Sequence, residues 1–226
     1  MNLARSALPA TNWRQTTEIV PFHEAILLRA IVRWHVLPFA TLRIGGCTCL
    51  LVAPSFGGKS TLIAHALAQR RIASAQVTLI DDNTTWIDRS GRAVCVRRPL
   101  KIRQETLGQL ARNLPPHRKS TPHRDGSLYV TPTASARYLS RHRINALVVL
   151  DRHVAHPRLE ILSARSADEA SSYHLRQRLG RLPAAGLVTT LARVLRTPDI
   201  GLYKLNYRAS DDGLALLAEL KSRHPR

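Results

Sequence analysis

The spacing of apolar positions changes period several times along this chain. Over residues 22–34, Phe22, Ala25, Ile26, Leu28, Ile31 and Val32 recur at helical spacing and predict a helix, which Pro38 ends. The period then shortens to that of strands. Residues 41–44 and 47–52 flank Gly45-Gly46 and predict a β-hairpin. Residues 62–70 are helix-prone, and residues 76–80 form an apolar run that ends in Asp81-Asp82. A second hairpin is predicted from residues 85–88 and 93–96 around the turn 89–92. Further on, residues 104–112 have helical character, and residues 144–150 read as a buried strand ending at Asp151. Ser166 and Glu169 have capping-box spacing and predict a helix to about residue 179. Residues 186–196 predict another helix, residues 201–207 a late strand, and Ser210-Asp211-Asp212 the start of a last helix.

Between these elements, residues 1–16 read as a polar, flexible N-terminal arm. Residues 113–127 are proline-rich, basic and unpatterned, which predicts a mobile loop. The rest, 17–226, is expected to be one α/β domain with a mixed sheet, because the strand entering residue 53 is paired antiparallel with its predecessor. There is no internal repeat.

The apolar run 49–52 leads into Ala53-Pro54-Ser55-Phe56-Gly57-Gly58-Lys59-Ser60-Thr61, and a helix follows. Strand, glycine turn and helix are the context of the phosphate-binding pattern G-x-x-x-x-G-K-[ST], here with Ala53 for the first glycine. In such a loop Ser55, Phe56, Gly57, Gly58, Lys59, Ser60 and Thr61 surround a polyphosphate. Backbone N–H groups at the helix start face the anion, Lys59 adds a point charge, and the Ser60 hydroxyl can ligate Mg²⁺. Phe56 stands where many such loops carry a glycine, so the left-handed dihedral is expected to fall on Gly57. Asp81 and Asp82 end a neighbouring strand. One can hold the metal and the other can accept a proton from an attacking hydroxyl. Asp151, also at a strand end, is a spare carboxylate.

Composition narrows the picture. The formal net charge is +19, mostly arginine, which predicts anionic partners: nucleotides, nucleic acid or an acidic peptide. Arginine-rich composition also arises from genomic base bias, so charge alone selects none of them. Cys47, Cys49 and Cys95 lack metal-ligand spacing and read as reduced core thiols of a cytoplasmic protein. No apolar run has the length of a membrane span, and no secretory signal is expected. His153 and His156 have a spacing seen at some metal sites but no nearby carboxylate or thiolate partner. Arg97, Arg98 and Arg103 can clamp a phosphate or line a solvated hairpin edge equally well.

The hairpin, the x-x-S-x-x-G-K-S loop, its helix, Leu79-Ile80-Asp81-Asp82, the second hairpin with Gly91, and Arg98-Pro99-Leu100-Lys101-Ile102-Arg103 together resemble the HPr serine kinase family. The likeness is to its short single-domain relatives found beside peptide-modification genes. It is specific over residues 38–103. It implies a fold like phosphoenolpyruvate carboxykinase, ATP and Mg²⁺ as cofactors, Lys59 and Ser60 on the nucleotide and metal, and the aspartate pair as metal ligand and base. The family's histidine falls by spacing on Pro38, and its E-x-R-G-x-G signature is missing. These departures argue against the reverse phosphorolysis of full-length members.

The expected function is therefore that of a phosphate-loop serine kinase, transferring phosphoryl from ATP to a serine-type hydroxyl of a peptide or small protein. Lys59 would stabilise the transferred charge, Ser60 and Asp81 would hold Mg²⁺, and Asp82 would be the base. A nucleotide-gated nucleic-acid-binding module and a small-molecule kinase are the alternatives. No membrane partner is expected, and self-association is left open.

Overall fold

A computed structural model describes residues 35–54, 57–110, 113–152, 154, 156–179 and 185–224. The N-terminal arm, the helix expected over 22–34, Ser55, Phe56 and His153 lie outside the described residues.

The centre is a seven-stranded mixed sheet in the order β13-β14-β12-β3-β2-β5-β4. Its strands are β2 (Ala40–Ile44), β3 (Cys47–Val52), β4 (Arg71–Ile72), β5 (Ala75–Asp81), β12 (Ala146–Asp151), β13 (Arg158–Ile161) and β14 (Gly201–Asn206). β2 and β3 form the expected antiparallel hairpin, with Gly45 left-handed at its turn. β12 runs parallel to both β3 and β14, while β5 is antiparallel to β2. Two antiparallel steps restore direction, so β3, β5, β12 and β14 all end at one edge of the sheet. That edge carries Ala53, Asp81-Asp82, Asp151 and Asn206. In open α/β sheets the carboxyl ends of the strands form the natural crevice for a ligand.

Both faces of the sheet are covered, which explains why β3 reads as an unbroken apolar run, all six of its residues buried. On one face Cys47, Cys49 and Leu51 pack with α1 (Lys59–Gln69) and α5 (Ser210–Arg223) through Leu62, Leu67, Leu214 and Leu217. On the other, Leu50 and Val52 pack with Leu175 of α3 (Ala164–Leu179) and Leu191 of α4 (Ala185–Leu195). The cysteines are free thiols and buried, with Cys47 and Cys49 Sγ 3.7 Å apart.

Two small sheets flank the large one. β1 (His35–Leu37), β6 (Thr85–Ile87), β7 (Ala93–Val94) and β11 (Arg141–His142) form the first, containing the expected second hairpin. β8 (Leu100–Ile102), β10 (Leu128–Pro132) and β9 (His117–Pro122) form the second. Here the secondary structure departs from the sequence reading. Residues 117–122, read as part of an unpatterned loop, pair antiparallel with β10. β9 is an edge strand with Arg118 through Pro122 exposed, so it has no apolar alternation to betray it. α2 (Gln104–Leu110) follows β8 as expected. The cap of α3 is also displaced. Ser163 rather than Ser166 is the capping residue, its Oγ accepting the Ser166 N–H at 3.1 Å. Among the described residues no helix is long and apolar enough to cross a membrane.

Candidate functional site

α1 begins at Lys59 with a bare N-terminus. Gly58 precedes it in a left-handed conformation (φ 83°), no side chain caps it, and no acidic residue lies in its first turn. The first-turn N–H groups therefore present partial positive charge that no residue of the helix itself neutralises. Both glycines are forced by space. A Cβ on Gly57 would lie 2.8 Å from Ala53 Cβ, and one on Gly58 would lie 2.8 Å from Tyr207 Oη. The left-handed dihedral thus falls on Gly58, not on Gly57. Ala53 is the residue whose Cβ crowds Gly57.

Lys59 is 4% exposed, and its Nζ donates to the carbonyls of Ala53 (2.8 Å) and Pro54 (2.9 Å). The ammonium is held over the turn that precedes its own helix. Ser60 Oγ donates to Asp82 Oδ1 at 3.0 Å and lies 3.2 Å from Oδ2. Asn83 Nδ2 also donates to Asp82, and Asn83 takes the left-handed conformation (φ 61°) that Asn tolerates well.

The two aspartates have different surroundings. Asp82 meets Ser60. Asp81 is fully buried, one oxygen accepting the Val96 N–H at 3.3 Å and Oδ1 lacking a hydrogen-bond partner. Burial drives the Asp81 carboxyl well above the usual carboxylate range, against the Val96 N–H and Arg98, which favour the ionised form.

A cavity of about 240 Å³ opens at the start of α1. Lys59, Lys101, Arg103 and Arg152 are its cations, with Glu105 their one acidic neighbour in its wall. Ser60, Thr61, Asn83, Thr106 and Gln109 supply hydrogen-bonding groups, and the Thr61 and Thr106 hydroxyls are 2.9 Å apart. Four cations, uncapped amides and hydroxyls match a polyphosphate. Ser60 and Asp82 are hard oxygen donors side by side. Among the described residues no group of three or more His, Cys, Asp or Glu could hold a metal. That combination fits Mg²⁺, which takes one or two protein oxygens and completes its shell with phosphate and water.

The arginine cluster does not act as a unit. Arg103 lines the cavity, Arg98 lies over the Trp86 ring at 5.6 Å, and Arg97 Nε donates to Ala136 O. His156 is exposed. Asp151 stands at the same sheet edge, paired with Lys204 at 3.0 Å.

A second cavity of about 470 Å³ adjoins the first, sharing Gly57 and Arg152 with it. Its wall has an apolar part, Pro54, Val149, Leu150, Leu162, Ala170 and Tyr173, and Asp151, Arg152, Ser166, His174 and Lys204 as polar members. Sequence reading singled out neither Arg152 nor His174. Arg152 had a usable signal, since it directly follows a strand-terminal aspartate. His174 lies mid-helix and had none.

No protein-family model matches this chain, and no curated protein matches it. Among solved structures, the chain is similar to the HPr(Ser) kinase/phosphatase of Coxiella burnetii, at 13% identity, covering 84% of this chain and 94% of that one, with a TM-score of 0.37. So distant a likeness carries no argument, and the chemistry has to come from this chain's own mixed α/β geometry.

Proposed function

We propose that the protein is a kinase that uses ATP and Mg²⁺ to phosphorylate a serine-type hydroxyl of a peptide or small protein. The observation that carries this reading is the Ser60–Asp82 contact at the uncapped start of α1, beside a cavity with four cations. ATP supplies the phosphoryl group when bound. Lys59 turns from the Ala53 and Pro54 carbonyls toward the phosphate oxygens, and the N–H groups of Gly58 through Ser60 face the same charge. Ser60 and Asp82 would hold the metal. The aspartates thus divide their work differently from the sequence expectation. Asp82, already engaged by Ser60, is the metal ligand, and Asp81 is a buried support behind it. Lys101, Arg103 and Arg152 neutralise the remaining phosphate charge from the cavity wall.

The competing reading is nucleic-acid binding. It draws on the net charge of +19 and on the exposed Arg118 and Lys119 of β9. One preparation separates the two. Calorimetry with ATP and Mg²⁺, followed by transfer of labelled γ-phosphate to a library of serine peptides, is expected to give binding and label. Protein that binds no ATP, or binds it and labels no hydroxyl compound, sinks the kinase reading. Salt-dependent retention of single- or double-stranded DNA in that case supports the rival.

A further inference from the structure

In-line phosphoryl transfer sets the entering and leaving oxygens on opposite sides of the γ-phosphorus. A nucleotide held in the cationic cavity departs as ADP into that cavity. The nucleophile then needs a separate compartment touching the same turn. The second cavity meets this requirement, since among the described residues it shares only Gly57 and Arg152 with the first.

Its chemistry differs from that of a phosphate site. Leu162, Ala170 and Tyr173 give it an apolar wall. Asp151 and Lys204 are paired, 3.0 Å apart. His174 remains. Its Nδ1 is buried without a hydrogen-bond partner. Burial first, and the nearby positive charge of Lys59 second, hold the imidazole below its usual range against the pull of Asp151. An imidazole in the wall of a cavity that also includes Gly57 is a proton acceptor placed beside the phosphate turn.

We propose that the second cavity is the acceptor site, and that it takes a serine hydroxyl flanked by an apolar side chain, with His174 facing the hydroxyl. This rests on the phosphoryl-transfer reading. The apolar neighbour lies against Leu162, Ala170 and Tyr173, and the hydroxyl points to Gly57 and Arg152. In the step, the serine oxygen forms a bond to the γ-phosphorus and the bond from that phosphorus to the β,γ-bridging oxygen breaks. ADP leaves with the electron pair, and the hydroxyl proton passes to the imidazole of His174. The acceptor is selected by apolar contact rather than by acidic residues, which the net charge alone would have suggested.

The test uses the full chain labelled with ¹³C-histidine, the His174 resonance being identified by its loss in His174→Gln. Acetyl-Leu-Ser-amide and acetyl-Glu-Ser-amide are titrated separately. The leucine peptide is expected to shift the His174 signal saturably and to bind about fivefold or more tighter than the glutamate peptide. Ala170→Trp fills the cavity and Tyr173→Ala removes an exposed wall. Each is expected to weaken the leucine peptide about fivefold or more while ATP affinity, read by calorimetry, stays level. A non-hydrolysable ATP analogue with Mg²⁺ should leave peptide binding unchanged or tighter. Absence of a shift, equal affinity for the two peptides, or competition between analogue and peptide overturns the acceptor site. ATP that binds while no peptide does removes this inference alone. Peptide that binds while ATP does not removes the kinase reading and the acceptor role with it.

Discussion

The two cavities that meet at Gly57 and Arg152 are built from opposite materials. The first is walled by the start of α1, by β8 and by α2, and it gathers four cations. The second is walled by the end of β12 and by α3, and it is mostly apolar. Charge in the first is expensive to hold without an anion, whereas the second gains by covering hydrocarbon. Placed back to back, they offer one compartment for a polyphosphate and one for something that approaches it.

The sharpest way to break this contrast is Lys59→Ala. It removes a charge-assisted contact from the first cavity, and ATP affinity should fall by about 1.5–3 kcal/mol, read by calorimetry. Unchanged affinity would mean that the cationic cavity is not the nucleotide site. Next is Gly58→Ala, which imposes a side chain on a left-handed residue and drives its Cβ toward Tyr207 Oη. A loss of about 1–2 kcal/mol in folding stability is expected from chemical denaturation, partly recovered when Tyr207→Phe removes the hydroxyl. No recovery would show that the dihedral alone sets the cost.

Asp81→Asn probes what lies behind the turn. The folded carboxyl is raised above its unfolded value of 3.8, so the folded chain holds a proton that the unfolded chain releases. Stability is thus lost as pH rises above about 4 and regained as it falls back. Asp81→Asn should stabilise the protein by about 1 kcal/mol at pH 7, and the gain should vanish near pH 4. Asp82→Asn should instead raise the Mg²⁺ concentration needed for ATP binding. If Asp81→Asn raises it and Asp82→Asn does not, the two aspartates hold the roles first expected from the sequence. The smallest effect belongs to the rim. Lys101 pairs with Asp125 at 2.7 Å and is partly exposed. Lys101→Gln should weaken ATP about two- to threefold and flatten the salt dependence of binding. An equal effect on the leucine peptide would blur the division between the cavities.

Local sequence carried most of the central sheet and the helix after the turn. Gly45-Gly46 between two apolar runs could form little else but a hairpin, and the buried run of β3 followed by glycines and a helix-prone stretch fixed the strand–turn–helix unit. β9 was illegible because an exposed edge strand obeys no apolar alternation; its backbone is satisfied by β10, ten or so residues downstream. The α3 cap was misplaced because Ser163 and Ser166 are both competent, and only the chain path chooses between them.

The sequence by itself determined the kinds of groups at the site: a lysine and a hydroxyl after two glycines, and paired carboxylates at a strand end. Backbone amides, spacing and charge are local properties, so they can be read without a fold. Tertiary structure decided which carboxylate meets Ser60, since a strand that ends and turns sends successive side chains apart and only packing says which one is buried. It also decided that Lys101, Arg103 and Arg152, from separate elements, share one wall, and that His174 stands by the second cavity. Those juxtapositions come from the order of strands in the sheet, which no local pattern encodes.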